Sequence, residues 1–233
     1  MHYENIERAK FIDRPNRFIA NIELGGKRVV CHVKNTGRCK ELLLPGADIL
    51  VQKSSNPNRR TAYDLISVYK GERLINMDSA APNAVFGEFL RAGGLGAVPE
   101  HIKPEFRHGD SRFDFYFELG GRRAFAEVKG VTLEDDGVVR FPDAPTERGV
   151  KHLRGLINCV REGFDTYAVF IIQMENVHHF EPNAITHPLF AQVLKEAQEA
   201  GVNILALDCK VGIDSLQAGE PVSVQYPPMG LVI

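Results

Sequence analysis

The chain has 233 residues, of which 44% are hydrophobic and 25% are charged, and its formal net charge is -2. These proportions are ordinary for a soluble globular protein, and the length suits one large domain or two small ones, each with its own core. The sequence also excludes a membrane-spanning helix, because no apolar run approaches the length that crosses a bilayer.

The N-terminus and the cysteines indicate a cytoplasmic protein. Glu4 and Glu7 stand among the first residues, where a secretory signal would carry an apolar run. The four cysteines, at positions 31, 39, 159 and 209, form no Cys-x-x-Cys pair and no nearby Cys/His cluster of zinc spacing. We therefore expect reduced, buried thiols, no zinc site and a cytoplasmic location.

Positive charge is concentrated in the first third of the chain. Residues 1–80 carry 14 Lys or Arg against 9 Asp or Glu, whereas residues 81–233 carry 14 against 21. This asymmetry predicts that the N-terminal part contacts nucleic acid, which is either DNA or RNA. The alternative is that these cations only keep one face of the protein solvated.

Short strands dominate residues 1–80. Gly25-Gly26 closes one hairpin, and a single helical turn is predicted from Gly37 to Leu44. The predicted strands are Asn5–Phe11, Arg17–Leu24, Lys27–Lys34, Ala47–Lys53, Thr61–Tyr69 and Arg73–Met77. Several short strands with one brief helix favour an OB-like β-barrel, whose open face and loops bind oligonucleotides. We therefore assign residues 1–80 to a nucleic-acid-binding barrel.

A phosphate contact is predicted where a barrel strand passes into the helical turn, at Asn35-Thr36-Gly37-Arg38. Backbone amides at the start of the turn would grip the phosphate together with Lys34, Asn35, Arg38 and Lys40. The same residues also fit a plain tight turn with Thr36 as a helix cap. Only Arg38 exceeds what such a turn requires.

The second domain is predicted to comprise residues 81–233 and to begin near Asp78–Pro82. A short helix is expected over Pro82–Arg91, and Gly120-Gly121 is expected to close a hairpin. Further helices are predicted over Thr146–Glu162 and Pro188–Ala200, and buried strands over Thr166–Gln173 and Val202–Leu207. This order of strand, helix and strand favours right-handed crossovers in an αβ domain with a mixed central sheet.

The predicted hairpin brings two acids and a lysine together. Strand alternation puts the phenylalanines of Phe113–Phe117 on one side and Asp114 on the other, while Glu127 and Lys129 share a side. Asp114 is then expected across from Glu127, where two hard carboxylates with open water positions suit Mg²⁺ or Mn²⁺. Lys129 would lean over the same site. A solvated strand face with an ion pair is the alternative.

The first turns of the helix Thr146–Glu162 carry cations, although the helix dipole prefers acids there. Arg148 and His152 lie four residues apart on one face, and Lys151 lies beside them. Because the backbone amides at a helix start already favour anions, this arrangement predicts a clamp for nucleic-acid phosphates. His152 fits either a proton carrier or an ordinary hydrogen-bonded surface histidine.

Six segments distributed along nearly the whole chain carry a resemblance to a known family. They are Asn35–Arg38, Glu41–Leu43, Ser111–Asp114, Glu127–Thr132, Phe141–Gly149 and Lys151–Leu153. These segments resemble the sugar fermentation stimulation protein A (SfsA) family, and the spacing of Asp114 to Glu127-x-Lys129 resembles the signature of PD-(D/E)XK nucleases. The resemblance implies a DNA-binding protein with an N-terminal OB-like barrel and a PD-(D/E)XK nuclease-like αβ domain.

The resemblance also implies roles for individual residues. In such nucleases two acids hold the metal and a lysine positions or polarises the attacking water, which assigns Asp114, Glu127 and Lys129 to catalysis. A glutamate on the first core helix often joins the metal site, so Glu88 is a further candidate, unless it is a solvated helix acid. Three functions stay open. They are a Mg²⁺- or Mn²⁺-dependent nuclease, a non-catalytic DNA-binding regulator of sugar metabolism genes, and a metal-dependent enzyme for a small phosphorylated substrate.

Overall fold

A β-barrel opens the chain in the computed structural model, which describes residues 1–35 and 37–227. The bounds of its strands are β1 Ile6–Asn16, β2 Ile19–Leu24, β3 Lys27–Val33, β4 Asp48–Lys53, β5 Tyr63–Lys70 and β6 Arg73–Asn76. Strands β1 to β5 form a ring in the order β1-β2-β3-β5-β4, which the parallel pairing of β3 with β5 closes. This five-stranded barrel confirms the predicted OB-like fold, and β6 extends it beside β5.

Turn chemistry and alternating burial explain the barrel. Gly25 and Gly26 have positive φ angles of 57° and 74°, so the hairpin between β2 and β3 requires residues without a Cβ. Along β2, Ala20 and Ile22 are fully buried, whereas Asn21 between them is only partly buried. One side of the strand therefore fills the barrel and the other faces outward.

The helical turn predicted over Gly37–Leu44 is shorter than expected, and residues 37–44 form no regular helix. The described residues of this segment form a turn, in which the Leu43 N–H donates to the Cys39 carbonyl at 3.0 Å. Cys39 has a positive φ of 43°, which a right-handed helix does not allow. Leu42 and Leu43 are buried and belong to the hydrophobic core. The predicted cap, Thr36, lies outside the described residues.

A mixed αβ domain follows the barrel. The bounds of its elements are α1 Ala81–Arg91, β7 Glu100–His108, β8 Ser111–Leu119, β9 Arg122–Val131, β10 Leu133–Asp135, β11 Val138–Phe141, α2 Glu147–Arg161, β12 Asp165–Ile172, β13 His179–Pro182, α3 Pro188–Glu199, β14 Asn203–Val211 and β15 Leu216–Pro221. The central sheet has the order β15-β14-β12-β9-β8-β7, with β9, β12 and β14 parallel. Helix α1 covers one face, and α2 and α3 cover the other. The mixed sheet confirms the predicted class.

Five strands of this domain were not predicted, namely β7, β10, β11, β13 and β15. Strand β7 lies at the edge of the sheet, is mostly exposed and contains Pro104, so its sequence lacks apolar alternation. Strands β10, β11 and β13 are only three or four residues long and form a separate small sheet. Among the described residues, no helix is both long enough and apolar enough to cross a membrane.

The alternation predicted for Phe113–Phe117 breaks at its first residue. Phe115 packs against Phe86 of α1, with ring centroids 5.4 Å apart. Phe113 instead packs against Phe125 at 4.9 Å, in the layer that α2 covers. The prediction that these phenylalanines share one face was therefore wrong for Phe113. Strand β8 pairs with β9 only from Phe115 onward. This pairing therefore does not fix the side-chain directions of the residues before Phe115.

Buried polar contacts join the barrel to the αβ domain. Gln173, directly after β12, donates from its side-chain amide to the Asn76 side chain at 2.8 Å. Glu134, in β10, accepts from Lys70 at 2.6 Å and from Arg73 at 2.5 Å. Because a buried polar group without a partner is costly, these contacts hold the two domains in one relative orientation.

Candidate functional site

Asp114 and Glu127 lie at the end of the ladder between β8 and β9. Phe115 pairs with Ala126, and continuing that register by one residue puts Asp114 opposite Glu127. Beyond the Phe115–Ala126 pair, a side-chain hydrogen bond joins the two strands: Asp114 Oδ2 accepts from the Val128 N–H at 2.8 Å. The two acids are thus held by adjacent strands of the central sheet.

The surroundings of Asp114 oppose its negative charge. Burial first, and then the charge of Glu127, raise the pKa of Asp114 above its ordinary value. Hydrogen bonds from the Val128 N–H and from the Asn83 side chain, the latter at 3.3 Å, lower the pKa but do not outweigh these two effects. A bound cation would relieve this unfavourable charge.

Glu127 is a buried carboxylate with one oxygen engaged and one oxygen without a partner. The residue is 4% exposed, and its Oε1 accepts from Lys129 Nζ at 2.5 Å and from His152 Nδ1. Burial raises the pKa of Glu127, but the hydrogen bonds and charges of His152 and Lys129 together lower it below its ordinary value. Its Oε2 is buried and has no hydrogen-bond partner among the described residues, an arrangement that ordinarily costs about 1–3 kcal/mol.

Helix α2 holds His152 against Glu127. The helix begins after Thr146, whose Oγ1 accepts from the Gly149 N–H at 3.0 Å. Arg148 Nε donates to His152 Nε2 at 3.3 Å. Because Nε2 accepts this bond, the ring proton is on Nδ1, from which His152 donates to Glu127. The two residues predicted to share a helix face therefore form a chain of hydrogen bonds that ends at the carboxylate.

Glycine is required immediately after Lys129. A Cβ on Gly130 would lie 2.5 Å from Gln173 Oε1 and 2.8 Å from Pro82 Cγ, closer than such atoms approach. Pro82 of α1 and Gln173, which contacts Asn76 of the barrel, therefore pack directly against the strand that carries Glu127 and Lys129. This close packing fixes the strand on the side away from α2.

Glu88 lies elsewhere on α1. Its Oε2 accepts from the N-terminal amine of Met1 at 2.6 Å, and its side chain is 51% exposed. The α1 residue that contacts Asp114 is Asn83, five positions earlier. Five residues rotate about 140° around a helix, so the two side chains point in different directions. The structure therefore does not bring Glu88 to the acids. Sequence reasoning missed Asn83, because an amide in an apolar helix is no signal for a metal site.

The described residues of the loop after β3, namely Asn35, Gly37 and Arg38, are held between the barrel and the start of α2. Arg14 donates to three carbonyls of this loop at 2.7 to 3.1 Å. Asp143 Oδ2 accepts from the Arg38 N–H at 3.0 Å. Since Asp143 precedes Thr146 by three residues, the loop and the start of α2 are neighbours. Arg14 and Asp143 were missed as supports of the loop, because their partners are far away in the sequence.

The remaining predicted cations differ in their availability to a ligand. Lys34 Nζ pairs with Asp78 Oδ2 at 2.8 Å, and Asp78 is only 2% exposed. Lys34 thus serves the joint between the domains. Lys40 and Lys151 are exposed, as are Arg38 and Arg148, although Arg148 also contacts His152.

The donor atoms around the two acids fit a hard divalent cation. Asp114 and Glu127 offer carboxylate oxygens, and Glu127 Oε2 has no other hydrogen-bond partner in residues 1–35 and 37–227. Mg²⁺, Mn²⁺ and Ca²⁺ all favour such oxygen ligands. These two residues are therefore the ones that would hold a metal ion here.

The chain is similar to known proteins along nearly all of its length. Residues 12–77 match the family described as SfsA N-terminal OB domain, and residues 80–215 match the family described as sugar fermentation stimulation protein RE domain. The sugar fermentation stimulation protein homolog of Clostridium beijerinckii is 56% identical over 224 residues, which cover 96% of this chain and 99% of that protein. The homolog of Clostridium tetani is 46% identical over 95% of this chain and 97% of its own length. The solved structure of Pyrococcus furiosus SfsA in complex with Ca²⁺ covers 97% of this chain and 98% of its own, with 28% identity and a TM-score of 0.87.

Proposed function

The chain belongs to the sugar fermentation stimulation protein family, and from this premise we propose that it is a DNA-binding protein that hydrolyses phosphodiester bonds with a divalent metal ion. The observation that carries the proposal is Glu127 Oε2. This buried carboxylate oxygen has no hydrogen-bond partner in the described part of the chain. Lys129 contacts the other oxygen of the same carboxylate, and the strand register puts Asp114 opposite Glu127.

The metal would be held by Asp114 and Glu127. The Pyrococcus furiosus relative was solved in complex with Ca²⁺, a hard cation that takes oxygen ligands as Mg²⁺ and Mn²⁺ do. This likeness supports a divalent cation, and we propose Mg²⁺ or Mn²⁺ as the working ion. When bound, such an ion lowers the pKa of a coordinated water and neutralises charge on the scissile phosphate.

Lys129 would act on the water and the phosphate. Glu127 Oε1 holds its ammonium group at 2.5 Å, and the side chain is 22% exposed, so the group lies at the boundary between the buried acid and solvent. A cation fixed there orients the attacking water and stabilises the charge that develops on the phosphate. His152 shares the same oxygen and keeps Glu127 ionised and in place.

Exposed cations near the acids would bind the nucleic-acid backbone. His152 holds Arg148 through Nε, which leaves the terminal nitrogens of Arg148 to a phosphate. Lys151 is exposed on the same helix start, and Arg38 and Lys40 are exposed on the neighbouring barrel loop. Contacts of this kind give affinity for DNA without reading its sequence.

Cleavage and binding assays with one set of labelled nucleic acids test the proposal. Single-stranded DNA, double-stranded DNA and RNA are incubated with the full chain in Mg²⁺, Mn²⁺, Ca²⁺ or EDTA. We expect binding in every condition, and cleavage of DNA only with Mg²⁺ or Mn²⁺. Asp114→Asn should abolish cleavage and retain binding. Asp110→Asn, which changes an exposed acid in the turn after β7, is the matched control and should cleave normally.

The outcomes separate the three functions that the sequence left open. Binding of DNA without cleavage of any nucleic acid would refute hydrolysis and favour a regulator. Absence of binding to all three nucleic acids would refute the proposal altogether and favour a small phosphorylated substrate. Cleavage that persists in Asp114→Asn would remove the proposed metal site from the reaction.

A further inference from the structure

Three potential metal ligands of different chemistry meet at the far end of α2. They are His108 at the end of β7, Cys159 in the last turns of α2, and Glu162, which caps that helix. One ligand atom from each of them lies within 4.8 Å of the other two. His108 Nε2 and Glu162 Oε2 are already in contact at 2.6 Å. Neither the acids of the hairpin nor the proposed hydrolysis involves any of these residues.

Each of the three side chains is positioned by its own surroundings. Cys159 and Glu162 are three residues apart, which puts them on one face of the helix. The His108 ring packs against Phe125 and Phe164, with both ring centroids 5.0 Å away. Phe164 is itself fixed to the helix end, because its N–H donates to the Cys159 carbonyl at 3.0 Å. The imidazole is therefore directed toward the helix face that carries the thiol and the carboxylate.

We propose that His108, Cys159 and Glu162 form a second metal site, selective for a Zn²⁺-like transition-metal ion and separate from the site of Asp114 and Glu127. Nitrogen, sulfur and carboxylate oxygen are the three donor types that Zn²⁺ takes in proteins. The thiol distinguishes this site from the hairpin acids, because Mg²⁺ and Ca²⁺ do not favour sulfur. Three protein ligands leave the fourth tetrahedral position to water.

The distances require only small side-chain movements to accept an ion. Donor atoms in a tetrahedral site with Zn–S of about 2.3 Å and Zn–N of about 2.0 Å lie roughly 3.5 Å apart. The observed separations, from 2.6 Å between His108 and Glu162 up to a limit of 4.8 Å, bracket this value. The Glu162 side chain is 52% exposed, and the imidazole is 31% exposed. An ion therefore has access from solvent on the Glu162 side.

Cys159 is a buried thiol that a metal would convert to a thiolate. Burial first, and then the charge of Glu162, raise the pKa of Cys159 to about 11. The thiol is protonated at neutral pH in the absence of metal, and its proton leaves to solvent when sulfur coordinates the ion. The other three cysteines are also free and buried.

A metal bound at these three residues would contradict the expectation that this chain has no zinc site. That expectation rested on the lack of a Cys-x-x-Cys pair and of a nearby Cys/His cluster. The ligands here come from a strand end and a helix end that only the fold brings together. The site is also distinct from the hairpin acids, because Cys159 follows His152 by seven residues, about 10 Å along α2.

Cobalt titration of the full chain tests the proposal. Co²⁺ replaces Zn²⁺ in such sites, and a cobalt–thiolate bond gives a charge-transfer absorption in the near ultraviolet that carboxylates alone do not produce. We expect this band to saturate at one Co²⁺ per chain and to disappear when Zn²⁺ is added. Cys159→Ala should remove it, whereas Cys209→Ala, which also truncates a buried cysteine, should retain it.

A milder variant keeps the test independent of folding. Glu162→Gln alters an exposed side chain at a helix end, so the fold should persist, and Co²⁺ affinity should fall at least about tenfold. Absence of a thiolate band in the unmutated protein would overturn the proposal, as would a band that survives Cys159→Ala. Unchanged affinity in Glu162→Gln would remove Glu162 from the ligand set. Asp114→Asn should leave the band unchanged, whatever its effect on DNA.

Discussion

Replacing Glu127 by its amide should destabilise the metal-free protein, whereas replacing Asp114 by its amide should not. Glu127→Gln removes the charge of a residue that is 4% exposed and that holds Lys129 and His152 through one oxygen. Asp114→Asn removes a charge that burial and Glu127 both disfavour. The two changes are alike in chemistry and differ only in the surroundings of the side chain.

The expected magnitude for Glu127→Gln follows from its two contacts. A hydrogen bond to a charged group contributes about 1.5–3 kcal/mol, and a neutral one about half as much. The glutamine oxygen still accepts, so the charge assistance is lost rather than the bonds. Because Lys129 is 22% exposed and water partly replaces its bond, we expect a total loss of about 2 kcal/mol. For a chain of this size that corresponds to a melting temperature about 4–8 °C lower.

Asp114→Asn should be neutral or stabilising. Asparagine keeps an oxygen to accept from the Val128 N–H, which is 2.8 Å away in the unmutated protein. Removing the charge relieves the repulsion with Glu127, so stability should rise by no more than about 1 kcal/mol. The melting temperature should therefore rise by up to about 4 °C.

Thermal unfolding in EDTA and in Mn²⁺ measures both effects. In the unmutated protein, Mn²⁺ at 100 times its dissociation constant should add about 2.7 kcal/mol, and neither variant should show this gain. Asp110→Asn provides the control for an acid-to-amide change at the surface. If Glu127→Gln stabilises the metal-free chain as Asp114→Asn does, then Lys129 and His152 do not hold Glu127 as described.

Three further predictions concern the lysine, the barrel and the joint. Lys129→Ala should keep the Mn²⁺-induced rise in melting temperature and lose DNA cleavage, because in the proposed reaction the lysine acts on water and phosphate; loss of the rise would make it a support of the metal site instead. The double variant Arg38→Ala with Lys40→Ala should weaken DNA binding and reduce the slope of log binding constant against log salt concentration by about 0.7–0.9 per lost contact. The control Lys195→Ala on α3 should change neither. An unchanged slope in the double variant would remove the barrel from the interface. Burial raises the pKa of Glu134, but hydrogen bonds from Lys70, Gly137 and Arg73 outweigh it and hold the pKa at about 2. Because this folded-state pKa lies below the ordinary 4.5, Glu134 stabilises the fold above pH 4.5 and ceases to do so as the pH falls toward 2. Glu134→Gln should therefore cost about 1–3 kcal/mol at pH 7 in urea unfolding, with a difference that shrinks on acidification and would not shrink if the carboxylate were unpaired.

The barrel was predictable because its information is local. Paired glycines and alternating apolar residues set turns and strands within a few residues of each other, as in β2, Gly25-Gly26 and β3. Strand β7 was not predictable in this way, because an exposed edge strand needs no apolar face. The turn within Gly37–Leu44 is shorter than predicted, because the positive φ of Cys39 does not allow a right-handed helix through that residue.

Of the candidate site, only the residues in the hairpin formed by β8 and β9 could be predicted from the sequence. Asp114, Glu127 and Lys129 are related by strand alternation and one turn, so their spacing is enough to bring them together. Asn83, Arg14 and the three proposed metal ligands at the end of α2 join segments that only the folded domain brings into contact. No short pattern encodes such contacts, and the resemblance to the nuclease superfamily indicated Glu88 on α1 in place of Asn83.

The joint between the domains determines whether the predicted cations act on one ligand or on two. Asp143 binds the backbone of Arg38 and lies three residues before the cap of α2, the helix that carries Arg148. Gln173 and Glu134 fix the barrel to the same domain through buried contacts. A rigid joint keeps the barrel loop beside the start of α2. A nucleic-acid backbone that reaches the hairpin acids would therefore contact the barrel loop and the helix start together. The affinity of the two surfaces then combines through an effective concentration rather than as independent binding.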